Sequence, residues 1–139
     1  MPDKPSQDQI FAQPAGHCLA ELNIATSVAD LDNPAMAGFM NALDAVNAIA
    51  ERSPGFVWRL KDESGNAIGF KRDGDPREIY NLSVCERAQD LEFYIWNTVH
   101  RRFMNQRNKW FLPASVPYFV LWWVPQGERP TLDGALVKL

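Results

Sequence analysis

The order of strand-type and helix-type segments constrains the fold of this chain more than any other feature. Alternating apolar residues, or in the last case a short apolar run, predict strands over residues 17–25, 56–61, 78–86 and 118–124. Helical spacing of apolar residues predicts helices over 34–52 and 88–110. The order β-α-β-β-α-β is the split βαβ or ferredoxin-like pattern. We therefore predict an α+β fold in which a four-stranded antiparallel sheet carries two helices on one face.

The first predicted strand has two different sides. One side consists of Cys18, Ala20, Leu22 and Ile24, and the other of His17, Leu19, Glu21, Asn23 and Ala25. The first side is expected in the core, whereas the mixed second side suits a sheet face covered by something other than the same subunit's core. Because every strand carries apolar groups on both sides, we predict a homodimer that pairs sheet against sheet.

The length and the ends of the chain indicate one domain. A chain of 139 residues fits a single core. Residues 1–16 hold Pro2, Pro5 and Pro14 among polar residues, and we predict a disordered leader there. Residues 17–139 are predicted to form the folded domain, which ends in a short helix capped by Thr131.

Charge, hydropathy and motifs exclude several functional classes. The net charge of −3 argues against nucleic-acid binding, and no run of about 18 apolar residues is present to span a membrane. Cys18 and Cys85 lack CxxC spacing, which favours a reducing cytoplasm, while a bridge between them stays open. With His17 and His100 as the two histidines and no P-loop, GxGxxG, GxSxG or HExxH motif, we expect no metal site and no serine or zinc hydrolase.

The second predicted helix carries the strongest site candidate. A stripe at steps of three and four residues contains Phe93, Trp96, His100, Phe103, Arg107 and Trp110. An imidazole among aromatic rings needs a hydrogen-bond partner or a ligand. His100 is therefore either satisfied by the protein or functional, as a general base or an axial ligand. Arg107 is suited to bind a carboxylate, whereas Arg101, Arg102 and Lys109 fit a solvated face.

Two asparagines lie in the middle of apolar strands. Asn23 is in phase with Glu21, and Asn81 is in phase with Ser83. A carboxamide in such a position is costly unless it is hydrogen-bonded. Both are candidates to orient a ligand, and the alternative is a structural role at a loop or at the dimer interface.

Several strings of the sequence resemble a family of domains of unknown function. They are LAELNIA (19–25), LDNPAMAGFMNALDAVNAIAERSPGFVWRL (31–60), NLSVCE (81–86), H-x-x-F-M-x-x-R-x-x-W-F (100–111) and LWWVPQGERPT (121–131). That family is placed in the dimeric α+β barrel superfamily, together with antibiotic-biosynthesis and haem-degrading monooxygenases. The resemblance implies a dimeric α+β barrel for residues 17–139. Cys85 stands where the resemblance implies a tryptophan, which alters one wall of a pocket.

The resemblance also implies roles for individual residues. Haem-degrading members use an asparagine of the first strand, a tryptophan and a histidine of the second helix, and Asn23, Trp96 or Trp110, and His100 match them by element. These roles fail if Ile24 faces the helices, because Asn23 then faces the partner subunit. Cofactor-free members bind an electron-rich polycyclic substrate in an aromatic box with a few donors. Residues suited to such a box are Trp58, Trp96, Trp110, Tyr118 and Trp122, with His100 and Arg107.

We therefore predict a monooxygenase-like or haem-associated oxidoreductase, with a pocket between the second helix and the sheet for a hydrophobic or aromatic small molecule. The cofactor is either none or haem. His100 and Asn23 are the predicted catalytic residues, and the predicted ligand-binding residues are Trp58, Asn81, Trp96, Phe103, Arg107, Trp110 and Trp122. The alternative is a homodimer that binds a small ligand without catalysis or has a structural role.

Overall fold

The computed structural model describes residues 12–62, 77–97, 101–102, 105–113 and 118–139. Its elements in chain order are β1 (His17–Thr26), α1 (Ala37–Arg52), β2 (Phe56–Arg59), β3 (Glu78–Cys85), α2 (Ala88–Asn97), α3 (Arg107–Trp110), β4 (Phe119–Pro125) and α4 (Leu132–Val137). Most of the predicted leader, residues 1–11, lies outside the described residues, as do residues 63–76 of the loop between β2 and β3.

The four strands form one antiparallel sheet in the order β2-β3-β1-β4. In the centre of this sheet Glu21 lies opposite Ser83 of β3 and Leu121 of β4, and Asn23 lies opposite Asn81. The predicted α+β, ferredoxin-like fold is confirmed. The register places the polar residues of β1 and β3 side by side, because directly opposed residues of an antiparallel pair point to the same face.

Local signals in the sequence set the beginnings of two helices. The side-chain oxygen of Asn33 accepts a hydrogen bond from the peptide N–H of Ala35 at 2.9 Å, and Pro34 opens the 3-10 turn that leads into α1. At α4, the hydroxyl of Thr131 accepts from the N–H of Gly134 at 3.0 Å. Each cap satisfies an N–H group that the helix itself leaves without a partner. The C-terminal helix begins directly after Thr131, as predicted, whereas α1 begins at Ala37, three residues after the predicted start, because residues 34–36 form the 3-10 turn.

The second predicted helix, 88–110, is not continuous. Residues 105–106 form a turn, and α3 begins at Arg107 after a residue, Gln106, whose φ of −101° and ψ of 7° lie outside helical geometry. Arg107 and Trp110 therefore do not share one helix with Trp96. The prediction of a single stripe from Phe93 to Trp110 is wrong.

Backbone hydrogen bonds to the end of β1 explain the separate position of α3. The N–H of Val28 donates to the carbonyl of Trp110 at 2.8 Å, and the N–H of Leu112 donates to the carbonyl of Thr26 at 2.9 Å. These bonds attach the segment around α3 to the sheet. Sequence periodicity does not report such long-range partners.

The polar side of β1 faces the helices. Leu19 packs against Ala88 and Leu91 of α2, and Glu21 and Asn23 line a cavity beneath α1 and α2. The prediction that something other than the same subunit covers this side is wrong. The prediction assumed that α1 and α2 pack on an apolar face of the sheet, whereas these helices enclose a cavity whose floor contains polar residues.

The other side of β1 packs on the C-terminal helix. Leu22 and Ile24 form a buried cluster with Ala135 of α4, and the half-buried rings of Trp58 and Trp122 pack against the same cluster. Thus α4 covers part of the face of the sheet that lies opposite α1 and α2, and this is the face that the sequence analysis assigned to the core. The homodimer itself stays a prediction.

The two cysteines are free and lie on different faces of the sheet. Cys18 belongs to a buried cluster on the α4 side with Ala20, whereas Cys85 lies opposite Leu19 on the helix side. Their positions exclude the bridge that the sequence left open. Within the described ranges, no helix combines the length and the apolar character needed to cross a membrane.

Candidate functional site

A cavity of about 400 Å³ lies between the sheet and helices α1 and α2. Its floor comes from the helix side of β1 and β3, and its walls include residues of α1, β2, α2 and α3. The volume falls within the range of roughly 300–1,000 Å³ that is typical of small-molecule sites. The lining is mostly apolar and contains a few polar groups, so the cavity suits an apolar ligand with a small number of oriented contacts.

A buried carboxyl group, Glu21, lies on the cavity floor. Its side chain is 7% exposed, and one carboxyl oxygen accepts a hydrogen bond from the hydroxyl of Ser83 at 3.0 Å. Burial raises the pKa of Glu21 to about 7, and the bond from Ser83 opposes this rise. A carboxyl with a pKa near neutrality can both accept and return a proton, which is the property of a general base or acid.

The neighbours of Glu21 are protonated at neutral pH. Burial, followed by the negative charge of Glu21, raises the pKa of the Tyr94 hydroxyl, which donates a hydrogen bond to the carbonyl of Val46 at 3.3 Å. Burial and then the charges of Glu21 and Asp90 raise the pKa of the Cys85 thiol to about 12. Among the described residues that line the cavity, Glu21 is the one whose pKa is shifted to near neutrality.

A cation of the cavity wall, Arg59, is engaged by a partner on the helix above it. Its Nε donates to a carboxyl oxygen of Glu51 at 2.9 Å, and its side chain is 12% exposed. The positive charge of the same guanidinium opposes part of the rise in the pKa of Tyr94 that burial and Glu21 cause. Arg59 therefore has a structural partner, connecting β2 with α1.

Two carboxamides lie one strand repeat away from Glu21. Asn23 and Asn81 are direct partners across β1 and β3, and both line the cavity. Since two residues along a strand span about 7 Å, their amides and the carboxyl group of Glu21 can contact the same small molecule. Amide N–H groups are suitable donors to a ligand oxygen.

Aromatic and basic side chains lie where the cavity meets the surface. Trp96 of α2 lines the cavity and is 54% exposed, and the exposed rings of Tyr118 and Phe119 also line it. The guanidinium of Arg107 lies over the Tyr118 ring, 5.0 Å from its centroid. Planar side chains at this mouth suit contact with a planar ligand.

Comparison with protein families identifies the relatives of this chain. Residues 18–139 match the family described as Domain of unknown function (DUF3291). The chain belongs to this family. The resemblance inferred from the sequence is thereby confirmed. Comparison with curated proteins found no match.

Two solved structures share the fold of this DUF3291 domain. One is a "Putative antibiotic biosynthesis monooxygenase" from Nitrosomonas europaea, with 14% identity, a TM-score of 0.52, and coverage of 82% of this chain and 94% of that chain. The other is PA3566 from Pseudomonas aeruginosa, with 15% identity, a TM-score of 0.51, and coverage of 78% and 93%. At these identities the likeness concerns the fold.

The structure brings together five of the residues that the sequence assigned to a site. They all line the cavity and are Asn23, Asn81, Trp96, Arg107 and Tyr118. Asn23 lies on the helix side of the sheet, so the conflict with Ile24 does not arise. Two further predicted residues, His100 and Phe103, lie outside the described residues.

Three predicted tryptophans lie elsewhere in the fold. Trp58 and Trp122 pack on the α4 side of the sheet, and Trp110 belongs to a buried cluster with Met36 and Phe39. None of these three is part of the cavity lining. The structure gives them packing roles, which is the usual function of apolar rings at buried positions.

Sequence reasoning missed the most distinctive group of the site. Glu21 was placed on the side of β1 with Asn23 but was not proposed as functional, and neither were Tyr94 and Arg59. The available signal was an acid in the middle of an apolar strand, directly in phase with an asparagine. A buried acid without a metal or a cation beside it usually has a raised pKa, which is a mark of functional sites.

Haem, the alternative cofactor of the sequence analysis, finds no imidazole among the described lining residues, and its predicted ligand, His100, lies outside the described residues. A haem iron needs an axial ligand such as an imidazole or a thiolate. The described part of the lining contains no histidine, and its cysteine, Cys85, holds its proton because of the raised pKa. The described histidine, His17, interacts through Nδ1 with the carbonyl of Ala15 at 2.9 Å and does not line the cavity.

Proposed function

We propose that this domain is a cofactor-independent monooxygenase that acts on an electron-rich, polycyclic small molecule bound between the sheet and helices α1 and α2. The observation that carries the proposal is Glu21, a buried carboxyl with a pKa of about 7 on the floor of a mostly apolar cavity. The likeness of the fold to a protein named a monooxygenase supports it.

In the proposed reaction Glu21 acts as the base. Its carboxylate removes a proton from an acidic CH₂ group of the substrate, and the N–H groups of Asn23 and Asn81 stabilise the charge on the substrate oxygen. The substrate carbanion transfers electrons to O₂ and forms a C–O bond, which gives a peroxide. Removal of the second C–H proton breaks the O–O bond. The sum is CH₂ + O₂ → C=O + H₂O, with carbon oxidised and O₂ reduced.

The apolar walls have two effects in this proposal. They hold the rings of the substrate, and they exclude water from the carbanion. The same exclusion of water raises the pKa of Glu21 to about 7, so that its carboxylate form is accessible near neutral pH.

Oxygen consumption with anthrone, a three-ring compound with an acidic CH₂ group, tests the proposal. We expect wild-type protein to accelerate oxygen uptake above the spontaneous rate, with a rate that rises with pH around a midpoint near 7. Glu21→Gln keeps the shape of the side chain but cannot accept the proton, and we expect it to lose at least about 100-fold in rate.

Glu128→Gln is the matched control, because Glu128 is an exposed acid that does not line the cavity. It should retain the wild-type rate. Equal rates in Glu21→Gln and wild type would contradict the proposal. Binding of anthrone without oxygen uptake would instead support the alternative, a small-molecule-binding protein that is not an enzyme.

We also propose that the domain forms a homodimer in a reducing, cytoplasmic compartment. The apolar second face of the sheet, with the half-buried rings of Trp58 and Trp122 and the exposed Val57 near it, supports association. The free thiols of Cys18 and Cys85 support the compartment.

A further inference from the structure

The guanidinium of Arg107 lies at the mouth of the cavity and forms no ion pair with a described carboxylate. Its contact within the described residues is with the ring of Tyr118, 5.0 Å from the guanidinium carbon to the ring centroid. No described carboxylate forms an ion pair with it, in contrast to Arg59, which binds Glu51. A stacked guanidinium keeps its N–H donors free for a planar acceptor such as a carboxylate.

From this geometry we propose that the ligand of the cavity is an aromatic carboxylate whose anionic group binds Arg107 at the mouth while its rings extend toward Glu21. This inference rests on the proposed function and adds the substrate class. It makes Arg107 the residue that selects anionic over neutral aromatic ligands.

The backbone fixes the position of this cation. The carbonyl of Tyr118 accepts a hydrogen bond from the N–H of Ile24 at 2.8 Å, and the N–H of Val28 donates to the carbonyl of Trp110 three residues after Arg107. The backbone of Tyr118 and the helix α3, which carries Arg107, are thus both hydrogen-bonded to β1 or to the residues that follow it. Little freedom is lost when a ligand binds a side chain positioned in advance.

The two charged groups lie at different places along β1. Glu21 is on the cavity floor, Asn23 follows it, and Ala25 marks the end of the lining nearest to α3. Four residues of strand span about 13 Å. A ligand carboxylate next to Glu21 would meet a buried acid, so repulsion favours the orientation that places the carboxylate at Arg107.

Calorimetric titration with two matched probes tests the inference. The probes are 2-naphthol and 6-hydroxy-2-naphthoate, which share the rings and the hydroxyl group and differ by one carboxylate. We expect wild-type protein to bind the naphthoate roughly tenfold more tightly or better. Arg107→Gln should lose the preference for the naphthoate over 2-naphthol, and Arg107→Lys should retain part of it.

Lys109→Gln is the control for net charge, because Lys109 is an exposed cation on the same short helix. It should keep the wild-type preference. Equal binding of both probes by wild type, a preference that survives in Arg107→Gln, or an equal loss in Lys109→Gln would each overturn the inference and leave the proposed function intact. Binding of neither probe by wild type would contradict both. If Arg107→Gln is unfolded by circular dichroism, Arg107→Met, which keeps the apolar part of the side chain and removes the charge, replaces it, and a preference that survives in Arg107→Met overturns the inference.

Discussion

At the scale of single residues, the environment of Glu21 determines its chemistry. A glutamate in water ionises near its ordinary pKa of 4.5, but this one is enclosed by strands, α1 and α2, and its pKa rises to about 7. The one hydrogen bond from Ser83 does not replace the lost hydration. Such a group lowers the stability of the folded state at high pH, a cost expected at functional sites.

The pH dependence of stability follows from this shift. Below about pH 4.5 Glu21 is protonated in both the folded and the unfolded chain. As the pH rises toward 7 the unfolded chain loses the proton first, so the free energy of unfolding falls, by roughly 3 kcal/mol in total. Glu21→Gln removes the titration, and urea unfolding should show it more stable than wild type at pH 8 by roughly 1–3 kcal/mol.

At pH 4 the same two proteins should have similar stability, because the protonated acid and the amide have the same shape. Ser83→Ala offers a second check, since it removes the bond that opposes the pKa rise and should weaken wild-type stability at pH 8 further. An equal stability of Glu21→Gln and wild type at pH 8 would show that the carboxyl group is not buried.

At the scale of elements, the fold was largely predictable and the site was not. Alternation and helical spacing give β1 to β4 and α1 because these patterns depend on residues close in sequence. The break before Arg107 depends on hydrogen bonds between α3 and the end of β1, more than eighty residues away in sequence. Which face of β1 is covered by α1 and α2 and which by α4 also depends on a long-range contact, because α4 packs against Ile24.

Trp110 of α3 illustrates how such long-range contacts change the position of a side chain from the one that the sequence predicts. The sequence placed its ring in the wall of a pocket, whereas the structure buries it against Phe39, with ring centroids 5.8 Å apart and edge-to-face geometry. Trp110→Ala should cost about 3–5 kcal/mol of unfolding free energy by urea titration, because it leaves a large void.

Trp110→Phe keeps most of the apolar volume and should cost less. It should also leave the affinity for 2-naphthol unchanged, since the ring does not line the cavity. Loss of binding in a folded Trp110→Phe protein would mean that the ring contacts the ligand after all.

At the scale of the whole molecule, the two faces of the sheet are covered by different helices and to different extents. Helices α1 and α2 enclose the cavity on one face, and α4 covers only part of the other. A second copy of the chain can bury the rest of that face without blocking the cavity mouth at Trp96, because the mouth lies on the helix side.

Val57, which is 42% exposed beside Cys18 and Val84, probes this dimer. Sedimentation equilibrium should give wild-type protein twice the mass of one chain and Val57→Glu the mass of one, since a charge buried in an apolar interface is costly. Phe93→Glu, at an exposed position of α2, is the control and should remain a dimer. A monomeric wild type, or a dimeric Val57→Glu, would contradict this arrangement.

The most direct test of the proposed site is the titration of the Glu21 carboxyl carbon by ¹³C NMR, assigned by its disappearance in Glu21→Gln. A buried base beneath an apolar cavity predicts a midpoint near pH 7, which moves when saturating 2-naphthol displaces water from the cavity. A midpoint near 4.5 that does not respond to 2-naphthol would contradict the role of Glu21 and, with it, the proposed reaction.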